Sequence, residues 1–292
     1  MSTGESLPAT VGAALATLRK AFRAAALGAP DLDARLLVGG VLGLDATGLL
    51  LTGTTPLSQS EARQIEAAMI ARLSGRPVHR ILGARDFYGL SLHLSPETLE
   101  PRPDTETLVD AALAHVEAVI TAKGWCHIAD LGVGTGAIGL ALLSSCPKAS
   151  CFGVDISAGA VAVALDNAHR LGLSDRYQAV IGDWFDGVDR VFDVIVSNPP
   201  YIRSGDLGSL SIEVRQHDPL AALDGGADGL DPYRVISRQA GHRLDADGVL
   251  LVEIGQGQGF DIRALFDQAG WRNLSIHSDL AGIDRVLVFA RG

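Results

Sequence analysis

The chain has 292 residues, of which 47% are hydrophobic and 20% charged, and its formal net charge is −10. The length favours two domains, and the composition is typical of a globular protein with a large core. The negative charge argues against non-specific nucleic-acid binding as the main activity. No window approaches the ~18 uncharged apolar residues of a membrane span, so no membrane association is expected.

The ends and the cysteines indicate the compartment. The first residues, MSTGESLPAT, lack a basic segment followed by an apolar run, so we expect no secretory signal. Cys126, Cys146 and Cys151 are odd in number and show no Cys-x-x-Cys or His/Cys ligand spacing. Reduced, buried thiols in a cytoplasmic protein without a metal site are therefore predicted.

Residues 1–75 read as a small helical domain. Val11, Leu15, Leu18 and Phe22 form an amphipathic stripe, and a capping box at Ser58–Glu61 opens a later helix. No catalytic constellation occurs in this part of the chain.

Residues 76–104 change character and read as a β-hairpin linking two domains. Ile81–Gly83 and Phe87–Leu94 alternate between apolar and polar residues, with a turn expected at Arg85-Asp86.

From Thr105 onward, helices and strands alternate. Helices are expected at 105–122, from the glycine turn to 143, at 160–171, at 232–244 and at 260–269; strands are expected at 127–131, 150–155, 178–181, 192–197, 248–253, 273–277 and 285–290. This order predicts an α/β fold with a seven-stranded, mostly parallel sheet covered by helices on both faces. The last two strands have no helix between them, which indicates an antiparallel partner at the end of the sheet.

A glycine-rich turn follows the first predicted strand of this sheet. Gly134-x-Gly136-x-x-Gly139 satisfies the dinucleotide fingerprint, whereas Asp130-x-Gly132-x-Gly134-x-Gly136 is a different, overlapping pattern. Both let the backbone approach a ligand at a helix N-terminus, where side chains would obstruct it. Asp155 ends the next strand, where a carboxylate can meet a ribose diol. A nucleoside-bearing cofactor is predicted, and glycine spacing alone leaves its identity open.

Two features favour S-adenosylmethionine over NAD. The segment from Asp130 to Gly136 resembles the first motif of the seven-strand methyltransferases. Gly182-Asp183-Trp184 follows the third strand, where that family holds the adenine between a polar edge and an apolar ring. Trp184 in ordinary core packing is the competing interpretation.

The fourth strand ends in Asn198-Pro199-Pro200-Tyr201. A residue before proline is excluded from the α region, and each proline fixes its own φ, so this backbone is stiff. The Pro199 carbonyl and the Asn198 side-chain oxygen offer two fixed acceptors beside the aromatic face of Tyr201. Such acceptors fit a planar NH2 group: holding both N–H bonds directs the nitrogen lone pair toward a sulfonium methyl for in-line transfer. A rigid loop without chemistry is the alternative.

With these motifs in place, the chain resembles the protein-(glutamine-N5) methyltransferases that modify peptide chain release factors. The segments that carry the resemblance occur in family order from about residue 76 to the C-terminus: GARDFYGLSL, PRPDTETLVD, DLGVGTGAIGLAL, VDIS, GDWF, NPPYI, HDPLAALDGGADGLDPYRVI and LLVEIGQGQG. The N-terminal helices fit the family layout more loosely. Val133 and Thr135 vary the glycine loop, at positions to which no chemistry is assigned.

The resemblance implies a helical domain over 1–75 that engages release factor, a linker over 76–104 and a catalytic domain over 105–292. It implies transfer of a methyl group from S-adenosyl-L-methionine, leaving S-adenosyl-L-homocysteine, to the glutamine of a Gly-Gly-Gln loop. The cofactor contacts carried over are Gly132, Val133, Gly134, Thr135, Gly136, Asp155, Asp183, Trp184 and Asn198; the residues that grip the substrate are Asn198, Pro199, Pro200 and Tyr201, of which Asn198, Pro199 and Tyr201 are the catalytic candidates. We expect a monomer without a metal and without a nucleic-acid substrate.

Other roles and activities stay open at this point. Residues 102–106 either cap the pocket or form only a helix start with Asp104 as N-cap. Glu253 and Asp224 are interpreted as structural. The rival functions are glutamine methylation of a ribosomal protein, N6-adenine methylation of DNA or RNA, a non-catalytic nucleotide-binding or ribosome-associated module, and a dehydrogenase. The acidic charge, without a basic channel carrying aromatic residues, counts against the nucleic-acid substrate.

Overall fold

The computed structural model describes residues 8–292. The first seven residues, which begin the predicted helical domain and on which the expectation of no secretory signal rests, lie outside the described residues. The chain divides into two compact units, with the boundary between Gly83 and Ala84.

The first unit is helical, as the amphipathic stripe predicts. Its helices are α1 (Val11–Ala24), α2 (Pro30–Leu42), α3 (Ala46–Leu51), α4 (Gln59–Leu73) and α5 (Val78–Leu82). All four stripe residues of α1 are buried, and they pack with Leu37 and Ile65 in one apolar cluster. The capping box is confirmed, because Ser58 accepts from the N–H of Glu61 while the Glu61 carboxylate accepts from the N–H of Ser58.

The predicted hairpin exists, but its first strand and its turn were placed wrongly. Residues 81 and 82 end α5, and Gly83 closes that helix in the left-handed conformation. The strands are β1 (Ala84–Phe87) and β2 (Leu90–His93), joined at Tyr88-Gly89 with φ of 50° and 76°. Two consecutive residues with positive φ make the two-residue turn whose twist matches antiparallel strands. Arg85 and Asp86 instead pair with Leu92 and Ser91 inside the ladder.

The second unit contains the predicted seven-stranded sheet. Its strands are β3 (Cys126–Leu131), β4 (Ala149–Asp155), β5 (Tyr177–Ile181), β6 (Phe192–Ser197), β7 (Leu244–Glu253), β8 (Trp271–Ser278) and β9 (Asp284–Arg291). Their spatial order is β5-β4-β3-β6-β7-β9-β8, with β9 antiparallel to both of its neighbours and the other pairs parallel. The antiparallel end of the sheet is thereby confirmed.

Helices cover both faces of this sheet. The covering helices are α6 (Glu106–Lys123), α7 (Ala137–Ser145), α8 (Ala158–Arg170), α10 (Asp231–Gln239) and α11 (Gly259–Gln268). The short helix α9 (Ile212–His217) buries none of its residues. One apolar core contains side chains of α6, α7 and α8, and a second contains side chains of α10 and α11. All six residues of β6 are buried, as expected for a central strand covered on both sides.

One predicted helix is too long. The helix expected at 232–244 ends at Gln239, continues as a 3-10 turn over Ala240–His242, and gives way to β7 at Leu244. Pairing of Leu244 with Phe192 in the β6–β7 ladder takes this residue into the sheet. Tertiary pairing, which the helical pattern does not contain, decides this boundary.

The sheet topology determines where a ligand can bind. The chain passes from β3 outward to β4 and β5, and then returns to β6 on the other side of β3. Crevices at such a reversal, beyond the carboxyl ends of the strands, are the usual ligand sites of open α/β sheets. Leu131 is paired with Ser197, so the glycine turn and Asn198 leave neighbouring strands side by side.

Candidate active site

A cavity of about 650 Å³ lies beyond the carboxyl ends of the parallel strands. It brings together residues from every motif predicted to bind cofactor or substrate. The predicted residues that line it are Gly132, Gly134, Asp155, Asp183, Trp184, Asn198 and Pro200. Val133, Thr135, Gly136, Pro199 and Tyr201 lie outside its wall.

The glycine turn is a cradle shaped by backbone conformation. Gly132, Gly134 and Gly136 have φ of 74°, 52° and 81°, in the left-handed region that favours glycine. A Cβ added to Gly132 or Gly134 would meet no atom within 4 Å, because both face the open cavity. The turn is tied to β4, since the N–H groups of Gly132 and Val133 both donate to the carbonyl oxygen of Val154. A ligand can therefore approach the backbone closely here.

Val133 and Thr135 support the turn through buried contacts, and neither lines the cavity. Val133 is buried, and its side chain occupies the space that a Cβ on Gly153 would need. Thr135 is also buried, and its carbonyl oxygen accepts from the side-chain amide of Asn167 at 2.9 Å. Both residues hold the loop in place, and the backbone of the glycines faces the cavity.

Asp155 bridges two segments at the end of β4. Its Oδ2 accepts from the N–H of Gly134 at 2.9 Å, and its Oδ1 accepts from the N–H of Ser157 at 2.9 Å. Each carboxylate oxygen has two acceptor sites, so capacity for a ligand hydroxyl remains. The carboxylate thus faces the cavity in a fixed orientation.

Trp184 takes an uncommon backbone conformation after β5. Its φ is 53°, and its ring both lines the cavity and packs against the core beneath α10 and α11. Trp184 therefore takes part in core packing, the competing interpretation, and it also lines the cavity in which cofactor contact was predicted. Ile156 and Val235 extend the apolar part of the wall.

Asn198 lies half-buried at the end of β6. Its side-chain amide donates to Oγ1 of Thr105 at 3.0 Å. Pro199 is buried, whereas Pro200 contributes to the cavity wall. The Tyr201 ring packs against the core, and burial first, with the nearby Glu253 second, raises the pKa of its hydroxyl to about 12. Tyr201 is therefore neutral at physiological pH.

Sequence reasoning missed several cavity residues. Pro96, Glu97 and Leu99 follow the hairpin, Pro219 and Ala221 lie between α9 and α10, and Asp231 is the first residue of α10. Glu97 accepts from the Ser157 hydroxyl at 2.7 Å, beside Asp155. The only sequence signal was the position of these residues just before the segment PRPDTETLVD, where pocket capping was considered for residues 102–106 alone, and within HDPLAALDGGADGLDPYRVI, to which no cavity role was assigned.

The segment before α6 contacts the cavity loops through Arg102. Its guanidinium donates to Asp218 at 2.6 Å, and the Asp218 side chain is only 4% exposed. Asp104 is not the N-cap of α6: Thr105 holds that position without a side-chain cap, and Asp104 forms an ion pair with Arg285 at 2.8 Å. The neighbouring 3-10 turn over Pro103–Thr105 displaces the helix start by one residue from the expected one.

Two carboxyl groups are buried under the site. Burial raises the pKa of Asp130 to about 7, and the same cause raises the pKa of Glu253 to about 7. Asp130 accepts from the N–H of Gly139 at 3.0 Å and so ties the end of β3 to α7. Asp224, interpreted as structural, accepts from the Ser204 hydroxyl and from the N–H of Gly226, and it also reaches the cavity.

Neither a membrane helix nor a metal cluster is found in the part of the chain that the structure describes. None of the helices within residues 8–292 is long and apolar enough to cross a membrane. The same residues contain no group of three or more His, Cys, Asp and Glu side chains arranged to hold a metal ion.

Comparison with known proteins places this geometry in a family. Residues 13–83 match the family described as the PrmC N-terminal domain, and residues 107–214 match the methyltransferase small domain. The release factor glutamine methyltransferase of Agrobacterium fabrum (strain C58 / ATCC 33970) is 49% identical over 97% of this chain and 98% of its own length. The chain belongs to the release factor glutamine methyltransferase family. The member from Bradyrhizobium diazoefficiens (strain USDA 110) is 46% identical, over 98% of this chain and 95% of the relative.

Solved structures share the fold of this family member. The hMettl16 catalytic domain in complex with MAT2A 3′UTR hairpin 6 aligns with a TM-score of 0.54 at 16% identity, over 80% of this chain and 82% of that one. A methyltransferase from Pyrococcus furiosus aligns with a TM-score of 0.50 at 16% identity, over 81% of this chain and 100% of that one. The predicted methyltransferase fold is thereby confirmed.

Proposed function

We propose that this methyltransferase transfers the methyl group of S-adenosyl-L-methionine to the side-chain nitrogen (N5) of the glutamine in the Gly-Gly-Gln loop of peptide chain release factors. The observation that carries the proposal is that Asn198, Gly134 and Asp155 line one cavity. An amide-gripping motif and a nucleoside-binding turn thus meet in a chain whose full-length relatives are release factor glutamine methyltransferases.

The cavity residues fit the cofactor. Gly132 and Gly134 leave space for a ligand against the backbone, and Asp155 presents a carboxylate suited to a ribose diol. Glu97 and Asp183 add negative charge, which suits a ligand bearing a sulfonium and an ammonium group. Ile156 and the Trp184 ring would hold the adenine. When bound, S-adenosylmethionine supplies an electrophilic methyl group.

Asn198 and Pro199 supply the acceptors for the glutamine amide. Because the Asn198 NH2 group donates to Thr105, its carbonyl oxygen is left to accept one N–H of the substrate. The Pro199 carbonyl accepts the other. An amide nitrogen is a weak nucleophile because its lone pair is delocalised, and fixing both N–H bonds orients that lone pair for in-line attack. The proton leaves after the nitrogen has become cationic, so no base of unusual pKa is required.

Pro200 and Tyr201 complete the substrate side. Pro200 lies in the cavity wall, and Tyr201 follows it with a neutral, partly buried ring. We propose that these side chains pack against the planar amide and exclude water from it.

The first unit, residues 8–83 of the described chain, is proposed to bind the body of the release factor. Leu50 and Leu51 are 85% and 80% exposed on α3, which is unusual for two adjacent leucines and suits a protein contact. We further propose that the enzyme acts as a monomer in the cytoplasm, where release factors are found, with no metal and no nucleic-acid substrate.

A labelling experiment tests the substrate. Purified enzyme with methyl-labelled S-adenosylmethionine is incubated with release factor and with a release factor whose loop glutamine is replaced by alanine. Label is expected on the intact factor alone. Ribosomal proteins and adenine-containing DNA and RNA serve as parallel substrates, and label on any of them instead of release factor would overturn the assignment.

A further inference from the structure

Glu253 is a buried carboxyl group at the end of β7, next to the strand that carries Asn198. Val252 is paired with Ser197, so Glu253 and Asn198 are the residues that follow on neighbouring strands. The Glu253 side chain is 1% exposed, and its Oε2 has no hydrogen-bond partner among residues 8–292. A buried carboxylate with an unused oxygen is costly, so a function is expected to compensate for it.

The neighbours of Glu253 connect it to the substrate-gripping amide. Hydrogen bonding from the side chains of Thr105 and Asn198 favours its ionised form. Thr105 in turn accepts from the Asn198 amide at 3.0 Å, which leaves the hydroxyl proton of Thr105 to donate. One hydrogen of the Asn198 NH2 group is therefore held by Thr105, and the other is available to the neighbouring Glu253 carboxylate.

This arrangement determines which way the Asn198 amide faces. If the amide were rotated by 180°, its carbonyl oxygen would lie against the Glu253 carboxylate, and the NH2 group would face the substrate. An NH2 group cannot accept the N–H of a glutamine amide. The hydrogen-bond chain from Asn198 through Thr105 also polarises the amide and strengthens its oxygen as an acceptor.

We propose that Glu253 is a positioning residue, which acts with Thr105 to hold the Asn198 amide with its carbonyl oxygen toward the NH2 group that is methylated. This inference rests on the proposed role of Asn198 as a substrate acceptor. Glu253 itself does not line the cavity, so it acts through Asn198.

The ionisation state of Glu253 controls this orientation. The charged and titratable groups that face it are Arg285 on β9, Asp104 before α6, Tyr201 after β6 and Tyr233 on α10. Arg285 opposes the effect of burial, whereas Asp104 adds to it. When protonated, Glu253 becomes a donor and competes with the Asn198 NH2 group for acceptors. Turnover is therefore expected to fall on the acid side of neutrality.

The decisive variant is Glu253→Gln, which keeps the shape of the side chain and cannot ionise. We expect kcat for release factor to fall by about tenfold or more, as for the loss of charge-assisted hydrogen bonds. The dissociation constant for S-adenosylmethionine, measured by calorimetry, is expected to stay within about threefold. The fall of kcat on the acid side of its pH profile (the acid limb) is expected to disappear. The control is Asp193→Asn, which removes another buried acid, at the opposite end of β6, where it binds Lys123 and the N–H of His127. It is expected to lower stability but to keep kcat and its acid limb.

Thr105 provides a second test. Thr105→Val removes the bridging hydroxyl and is expected to lower kcat, whereas Thr105→Ser is expected to restore it. The effects of Thr105→Val and Glu253→Gln should be less than additive, because both break one hydrogen-bond chain. Full kcat with an unchanged acid limb in Glu253→Gln would overturn the proposal.

A readout without turnover separates this inference from the substrate assignment. The side-chain NH2 resonances of Asn198, assigned in 15N-asparagine-labelled enzyme by comparison with Asn198→Ala, are expected to shift with pH near neutrality and to lose that shift in Glu253→Gln. If the wild-type enzyme labels another NH2-bearing substrate, the proposed function fails, and the same variants are compared on that substrate. Resonances that ignore both pH and the Glu253 substitution would contradict the positioning role.

Discussion

Gly134 donates its backbone N–H to Oδ2 of Asp155 at 2.9 Å, so the glycine turn after β3 is fastened to the carboxylate that ends β4. Two motifs separated by 21 residues thus form one rigid wall of the cavity. The same carboxylate is held on its other oxygen by Ser157. The orientation of Asp155 is therefore set before any ligand arrives, which reduces the entropy lost on binding.

Asp155→Ala is expected to weaken binding of S-adenosylmethionine by about 10- to 100-fold, because charge-assisted hydrogen bonds are lost and the turn is released. Calorimetric titration measures the effect. Asp247→Asn, an exposed acid near the start of β7, is the control and should bind normally. Equal affinity of Asp155→Ala and the wild-type enzyme would contradict the ribose assignment.

Comparing Gly134→Ala with Gly172→Ala separates the cost of backbone strain from the cost of blocking the cofactor's approach to the glycine turn. The φ of 52° disfavours any side chain, and the new methyl group would enter the cavity. Gly172 is a matched control, because its φ is 70° and its Cβ would also meet no atom within 4 Å, while it lies outside the cavity wall. Both alanine variants are expected to lose about 1 kcal/mol of unfolding free energy. Only Gly134→Ala is expected to lose cofactor affinity; a similar loss in Gly172→Ala would count against the cradle.

Asn198→Ala is expected to lower kcat by about 100-fold or more while cofactor affinity stays within about threefold, because the lost acceptor acts on the substrate in the transition state. Single-turnover labelling of release factor checks this. Asn273→Ala, which removes an asparagine on β8 that bonds the carbonyls of Ser275 and Val288, should keep its kcat. Undiminished turnover in Asn198→Ala would disprove the two-acceptor mechanism.

Asp130 gives stability a pH dependence of known sign. Its pKa rises from 3.8 in the unfolded chain to about 7 in the folded protein, mainly through burial, so the folded state holds its proton at higher pH. The contribution of this group to stability is therefore full below pH 4 and is lost as the pH rises to about 7. The loss is on the order of 4 kcal/mol between the two limits. In Asp130→Asn, the unfolding free energy should depend less on pH between pH 5 and 8 than in the wild-type protein, as measured by denaturant titration. An unchanged dependence on pH would assign the effect to other groups, such as Glu253.

Local pattern was sufficient for much of the fold. The burial of Val194, Ile195 and Val196 in β6 follows from their apolar side chains, and the amphipathic stripe of α1 follows from its spacing. These features depend on neighbours within a few residues, which the sequence contains. The hairpin turn was misplaced because Tyr88, a residue that rarely takes positive φ, adopts 50° beside Gly89, and the ladder Phe87–Leu90 enforces it.

The sequence by itself determined the α/β class, the glycine turn with Asp155 after it, and the stiffness of the Asn198-Pro199-Pro200-Tyr201 segment, because each depends on short-range spacing and on the fixed φ of proline. Only the tertiary structure decided that Thr105 accepts a hydrogen bond from the side-chain amide of Asn198, which lies 93 residues away. It also decided that Glu253 is buried beside both residues. It also brought Glu97 and Asp231 into the cavity. Burial and hydrogen bonding between distant segments depend on how the strands are ordered in the sheet, and local residue patterns carry no record of that order.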